Sequence, residues 1–192
     1  MQNLPEFGPS VALVVVDMQN DFADPGGSLF VAGGDALIEP INELIAAARR
    51  AGATIVLTQD WHPAETPHFD TDGGPWPVHC VAGTWGADLV AGLATDADAV
   101  VRKGTRGEDG YSAFSMRDTR TGGDVPTGLA GLLRERDVGD VVVVGLAADV
   151  CVAATARDAA ASGFTTTVVW DATRPVYPDT ASNVRADLAA AG

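Results

Sequence analysis

All three histidines of the chain, His62, His68 and His79, fall in one short segment that opens with a carboxylate, Asp60-Trp-His62. That segment follows directly on an apolar run, Thr54-Ile-Val-Leu-Thr58. Three imidazoles and one aspartate gathered in this way suit a borderline divalent ion such as Zn, Fe or Mn. His62 and His68 stand beside Pro63 and Pro67 and among acids, so they draw no packing stripe. Surface or core roles for one or two of them are the competing reading. Cys80 adjoins His79 and is read as inert packing, because four ligands already serve.

A second group carries different chemistry. Asp17 follows the run Val11-Ala-Leu-Val-Val-Val16, Lys103 follows Ala99-Val-Val101, and Cys151 closes Gly145-Leu-Ala-Ala-Asp149-Val-Cys151 after Val141-Val-Val-Val144. An acid, a cation and a thiol supply a base, an electrostatic partner and a nucleophile. Cys151 stands where a helix should begin, and backbone N–H groups there can lower a thiol pKa and hold an oxyanion. The competing reading makes Cys151 a small buried residue capping the sheet.

The elements that must position these groups alternate along the chain. The run 11–16 is continuously apolar and β-branched, the pattern of a strand buried on both faces. Leu37, Ile38, Ile41, Leu44, Ile45 and Ala48 then recur at helical spacing, with Asp35 as cap and Gly52 as stop. Further strands are read at Ile55-Val-Leu57, Ala99-Val-Val101, Val141-Val-Val-Val144 and Thr166-Thr-Val-Val-Trp170. Helices are read after Pro126 through Leu133, from Val152 to Ala161, and from about Asp179 to Leu188. Such alternation predicts a single α/β domain over residues 1–192, a three-layer α/β/α sandwich with a mostly parallel sheet. Ligands of such sheets gather beyond the carboxyl ends of the strands, where Asp17, Asp60, Lys103, Asp149 to Cys151, and Asp171 are all expected. Residues 60–98 show almost no periodicity, and long ordered loops of this kind are usually functional.

Charge narrows the partners. With 26 acidic against 12 basic residues the net charge is −14. Such a surface repels phosphate backbones and anionic bilayers, which argues against nucleic acid and membrane. It leaves open a small neutral or weakly charged ligand in an enclosed pocket, where local charge can differ from the global field. Two cysteines form no disulfide framework, and the N-terminus carries no basic leader, so the cytoplasm is the expected compartment.

Several stretches together, Val15-Val-Asp17-Met-Gln-Asn-Asp-Phe22, Thr58-Gln-Asp60-Trp-His62-Pro, Trp76-Pro-Val-His79-Cys, Lys103-Gly and Gly145-Leu-Ala-Ala-Asp149-Val-Cys151, resemble the nicotinamidase/pyrazinamidase group of the isochorismatase-like cysteine hydrolases. The resemblance spans about residue 11 to the end. It implies the fold of that family, with five to six strands, and hydrolysis of nicotinamide to nicotinate and ammonia in NAD salvage. It implies Asp17, Lys103 and Cys151 as catalytic residues, one divalent ion on Asp60, His62, His68 and His79, and Phe22, Trp76 and Tyr111 around the substrate ring. It also implies a non-proline cis peptide between Ala147 and Ala148, an oxyanion hole from the N–H groups of Ala148 and Cys151, and a loop-orienting role for Asp149. Members usually carry Thr at the position of Ala148, and they continue from the last helix into a sixth strand, whereas this sequence ends at Gly192. A homo-oligomer is compatible with the resemblance. Two alternatives stay open: an amidase for a different carboxamide, and a non-catalytic metal protein with a structural Cys151.

Overall fold

The computed structural model describes residues 6–191. In chain order its regular elements are β1 (Val11–Val16), α1 (Asn20–Ala23), α2 (Ile38–Arg50), β2 (Thr54–Asp60), β3 (Ala99–Lys103), β4 (Ser115–Arg117), β5 (Asp124–Pro126), α3 (Leu129–Glu135), β6 (Asp140–Leu146), α4 (Cys151–Ala161), β7 (Thr165–Arg174) and α5 (Ala181–Ala191). Five strands form one parallel sheet in the order β3-β2-β1-β6-β7. β1 lies at its centre, which is why every one of its residues can be apolar and buried.

Alternation along β1 feeds two cores. Leu13 and Val15 point to one face, where Ile41, Leu44, Ile45 and Ala48 of α2 cover them. Ala12, Val14 and Val16 point to the other, against Leu129 and Leu133 of α3 and Val152, Ala156 and Ala159 of α4. Each fully buried Leu, Ile or Val contributes about 1.5–3 kcal/mol by leaving water. The result is the expected three-layer α/β/α sandwich. Among the described residues the sheet has five strands.

Some boundaries differ from the reading of the sequence. Asp35 makes no capping hydrogen bond; it opens a 3-10 turn, Asp35–Leu37, that runs into α2. Pro126 ends β5, and α3 starts only at Leu129. β7 continues to Arg174, so Asp171 lies within the strand and not beyond its carboxyl end. Its register against β6 slips between Val143 and Gly145, which lets a strand that long keep its pairing. The antiparallel pair β4–β5 was not expected at all. Residues 61–98 have two 3-10 turns, Asp70–Asp72 and Trp85–Ala87, and are held by isolated bridges such as His62 to Val81 and Phe69 to Trp76.

Candidate active site

Three parallel strands deliver three charged groups to one place. Asp17 follows β1, Asp60 is the last residue of β2 and Lys103 the last of β3. All three are buried. Lys103 Nζ donates to Asp17 Oδ2 at 2.7 Å and to the Tyr111 carbonyl at 3.0 Å, and lies 3.0 Å from Asp60 Oδ1. Thr58, one turn of the pleat before Asp60, donates from Oγ1 to Asp17 Oδ1 at 2.5 Å and accepts the Asp17 N–H at 3.1 Å. Cys151, the first residue of α4, turns its thiol toward Asp17, and Asp17, Asp60 and Cys151 bring acceptor atoms within 4.8 Å of one another.

Asp60 faces two ways. Its Oδ2 lies 3.8 Å from His62 Nε2 and 4.0 Å from His79 Nε2. His62, His68 and His79 are buried, with ring nitrogens within 4.8 Å of one another. His68 Nδ1 bonds Asp109 Oδ1 and His79 Nδ1 bonds the Pro77 carbonyl, both at 2.7 Å. Carboxylate and carbonyl oxygens only accept, so Nδ1 is the donor in each and the Nε2 lone pair is free to bind an ion. Burial holds His79 down at about 4, which keeps it neutral near pH 7. Both ring nitrogens of His62 are buried without a hydrogen-bond partner among the described residues, while Asp60 Oδ1 is met by the Lys103 ammonium and its Oδ2 faces the imidazoles. Buried polar groups are seldom left so, and this set of three imidazoles and a carboxylate fits a divalent ion. His62 packs on Gly104: a Cβ there would stand 2.5 Å from His62 Nδ1, and the backbone has φ +72°.

A cavity of about 230 Å³ joins the two groups. Cys151, Asp60, His68 and His79 reach its wall, with Phe22, Trp76 and Tyr111 as half-buried aromatic sides. Trp76 Nε1 donates to the Tyr111 hydroxyl at 3.0 Å, and the Phe22 ring lies 5.5 Å from that of His79.

The charges are unevenly shared. Burial pushes Asp17 up, and neighbouring Asp60 adds to the rise that Lys103 opposes. Burial would raise Asp60 too, but Lys103 and the imidazoles hold it well below the usual carboxylate range. Lys103 stays charged because the two carboxylates outweigh its desolvation. Burial drives the Cys151 thiol up, with Lys103 opposing and Asp17 and Asp60 reinforcing. The expected lowering of this thiol by the start of α4 does not prevail.

A family model for the isochorismatase domain matches residues 11–192. The chain belongs to the isochorismatase family. Within it, the chain is 43% identical over 183 residues to the nicotinamidase of Acinetobacter baylyi, covering 86% of this chain and 81% of that relative. A structure of an L. infantum protein in complex with nicotinate superposes with TM-score 0.89 at 44% identity, covering 98% of this chain and 93% of that one. The zinc-bound pyrazinamidase of Pyrococcus horikoshii gives TM-score 0.85 at 39% identity over 96% and 97% of the two chains.

For this isochorismatase-family chain, two details of the loop after β6 need correction. The cis peptide joins Leu146 to Ala147, one bond earlier than the Ala147–Ala148 position expected. The Ala148 N–H is taken by the Arg174 carbonyl at 2.8 Å, because β7 runs on far enough to pair with it, and Ala148 is fully buried. Ala147 is the residue that reaches the cavity wall. Asp149 accepts from the N–H groups of Val176 and Tyr177 and from Thr180 Oγ1, tying down the loop after β7.

Several contributors escaped the sequence reading. Gln19 clamps the Asp60 backbone from both sides: its Oε1 accepts the Asp60 N–H at 2.8 Å, and its Nε2 donates to the Asp60 carbonyl at 2.7 Å. Asp21 accepts the Cys80 N–H beside His79 at 2.7 Å. Thr58 had a legible signal, a hydroxyl inside an otherwise apolar buried run. Asp109 had none, since nothing in sequence connects it to His68.

Proposed function

We propose that this chain is a nicotinamidase, hydrolysing the carboxamide of nicotinamide, and of the related pyrazinamide, to the carboxylate and ammonia through a thioester on Cys151. The observation that carries this reading is the Cys151 thiol, which faces buried Asp17 and reaches the same cavity wall as His68 and His79 of the imidazole cluster. Relatives named as nicotinamidases support the choice of substrate.

Asp17 takes the thiol proton, and the sulfur forms a bond to the carboxamide carbon while the carbonyl electron pair moves onto oxygen. The N–H groups of Ala147 and Cys151 hold that oxyanion, since the Ala148 N–H is engaged elsewhere. When the pair returns, the C–N bond breaks and Asp17 gives its proton to the leaving nitrogen, releasing ammonia. Water then adds to the thioester carbon and yields a proton to Asp17; the C–S bond breaks, and the proton returns to sulfur. Lys103 keeps Asp17 and Asp60 in place and balances their charge. Phe22, Trp76 and Tyr111 enclose the ring. Asp60, His62, His68 and His79 are the residues that would hold one divalent ion, with Zn, Fe and Mn all suited to the donors. When bound, such an ion supplies a Lewis acid for the ring nitrogen and for water. The same reading takes residues 1–192 as one hydrolase domain acting in cytoplasmic NAD salvage, alone or as a homo-oligomer.

Ammonia release tests this directly. Nicotinamide should be turned over and benzamide, which lacks the ring nitrogen, should not; chelation should abolish turnover and metal add-back restore it. Cys151→Ala should remove activity while keeping its metal, and mass spectrometry of quenched parent enzyme should find a nicotinoyl adduct on Cys151. Parent-like turnover by Cys151→Ala ends the mechanism.

A further inference from the structure

The three imidazoles are not held alike. His79 is steadied by a carbonyl of its own loop, Pro77. His62 is fixed by packing on Gly104. The main chain of His68 itself is held only by long contacts, although its neighbours Phe69 and Asp70 are well bonded: its N–H reaches Thr66 Oγ1 at 3.4 Å, and its carbonyl accepts Trp76 N–H at 3.4 Å. Its one short polar contact is Asp109 Oδ1, at 2.7 Å and from a different part of the chain. Among the described residues, Asp109 is the one carboxylate that bonds an imidazole Nδ1 of the cluster.

Asp109 is itself anchored. Its N–H donates to the Arg117 carbonyl at 2.8 Å and its carbonyl accepts the Arg117 N–H, an antiparallel bridge that attaches it to the end of β4. β4 is braced in turn by β5 and by the hydrogen bond from Ser115 Oγ to Asp158 of α4. The small hairpin that the sequence did not reveal thus has a use: it presents a carboxylate to the back of His68. Residues 103–111 thereby support the imidazole cluster twice, by Gly104 against His62 and by Asp109 against His68.

We infer that Asp109 is a positioning residue that fixes the tautomer and ring orientation of His68 and strengthens it as a metal ligand. A carboxylate on Nδ1–H directs the Nε2 lone pair into the cluster and makes the imidazole more basic, and loss of such a partner weakens metal affinity by roughly 10–100-fold. The inference rests on the proposed metal reading. It reaches beyond that reading by assigning a residue that contacts neither ion nor substrate.

The test uses full-length protein stripped with chelator and titrated with Co(II), whose visible absorption reports ligand geometry, and with Zn(II) in competition with a chromophoric chelator. The parent should bind one equivalent. Asp109→Ala should bind about 10–100-fold more weakly with an altered Co(II) spectrum, and Asp109→Asn, which keeps an acceptor but loses the charge, should fall between. The Asp109 side chain is 40% exposed, so metal-free Tm should stay near the parent's in both variants. Parent-like affinity and spectrum in Asp109→Ala would overturn the inference while leaving the metal reading intact. A loss of affinity matched by an equal fall in metal-free Tm would make Asp109 a loop brace and overturn it as well. A parent that binds no Co(II) or Zn(II) would bring down the metal reading, and this inference with it.

Discussion

Two carboxylates share one lysine at the centre of this site, and in the proposed mechanism their unequal surroundings select which acts as the base. Asp60 also faces the imidazoles and is held anionic. Asp17 holds the shorter contact to Lys103, 2.7 against 3.0 Å, but lacks the help the imidazoles give Asp60. Burial, with Asp60 beside it, pushes the Asp17 pKa up toward a value from which it can take and return a proton. Asp17 also sits at φ +47°, a left-handed conformation that costs a non-glycine residue about 1–3 kcal/mol and recurs at functional sites. Its place beyond a buried apolar run was legible in sequence; its αL backbone and its bond to Thr58 were not. Asp17→Asn keeps the volume and the reach but cannot accept the thiol proton. At saturating substrate kcat should fall by about 10²–10⁴-fold, with metal content unchanged. A fall of only a few-fold on folded, metal-replete protein would mean that Asp17 merely ties the loop.

At the scale of elements, the strands were legible where long buried β-branched runs left no other reading, as in β1 and β6. The two-stranded pair β4–β5 was hidden because its segments are short, charged and half-exposed, and its turn is built by Asp118 accepting from Arg120 and Thr121 backbone rather than by an apolar pattern. The loop after β6 was legible as a motif but misplaced by one peptide bond, because hydrogen bonding by the far end of β7 is not written in the motif itself. Asp98 shows how such edges are tied together. It precedes β3, accepts the N–H of Ile55 in β2 at 2.8 Å, and pairs with Arg136 at 3.2 Å and Arg49 of α2 at 3.9 Å. Burial works against its charge, but the Ile55 N–H and the two arginines lower its pKa below the ordinary value. A depressed folded-state pKa contributes stability that is present above the unfolded value, about 3.9, and disappears as pH falls through the folded one. Asp98→Asn should therefore cost about 0.5–1.5 kcal/mol near neutral pH, after allowance for solvent screening. That difference should shrink toward zero in acid. Urea unfolding of both proteins across the acid range checks it, and a gap that stays constant with pH would remove the charge from the explanation.

For the molecule as a whole, one parallel sheet aims five carboxyl ends the same way, and the buried Asp17, Asp60 and Lys103 are what three of them carry. Everything outside that centre is dominated by acid. A net charge of −14 repels itself in the folded state more than in the expanded one, so it opposes compaction even as it favours solubility. The exposed ion pairs do little to offset this; Arg49 with Asp96 and Arg120 with Asp118 are solvated and screened by salt. The Lys103–Asp17 pair is buried and lies beyond the reach of bulk screening. Added salt should then relieve repulsion more than it weakens attraction. Raising NaCl from about 20 mM to about 0.5 M shortens the screening length to a few ångströms, and recovering about 1 kcal/mol of self-repulsion should lift Tm by about 2–4 °C for a chain of this size. Chloride is the right anion, because sulfate would add its own stabilisation by exclusion from the surface. KCl at equal ionic strength should match NaCl, and a Tm that stays flat or falls would show that attractive surface pairs outweigh the excess of acid.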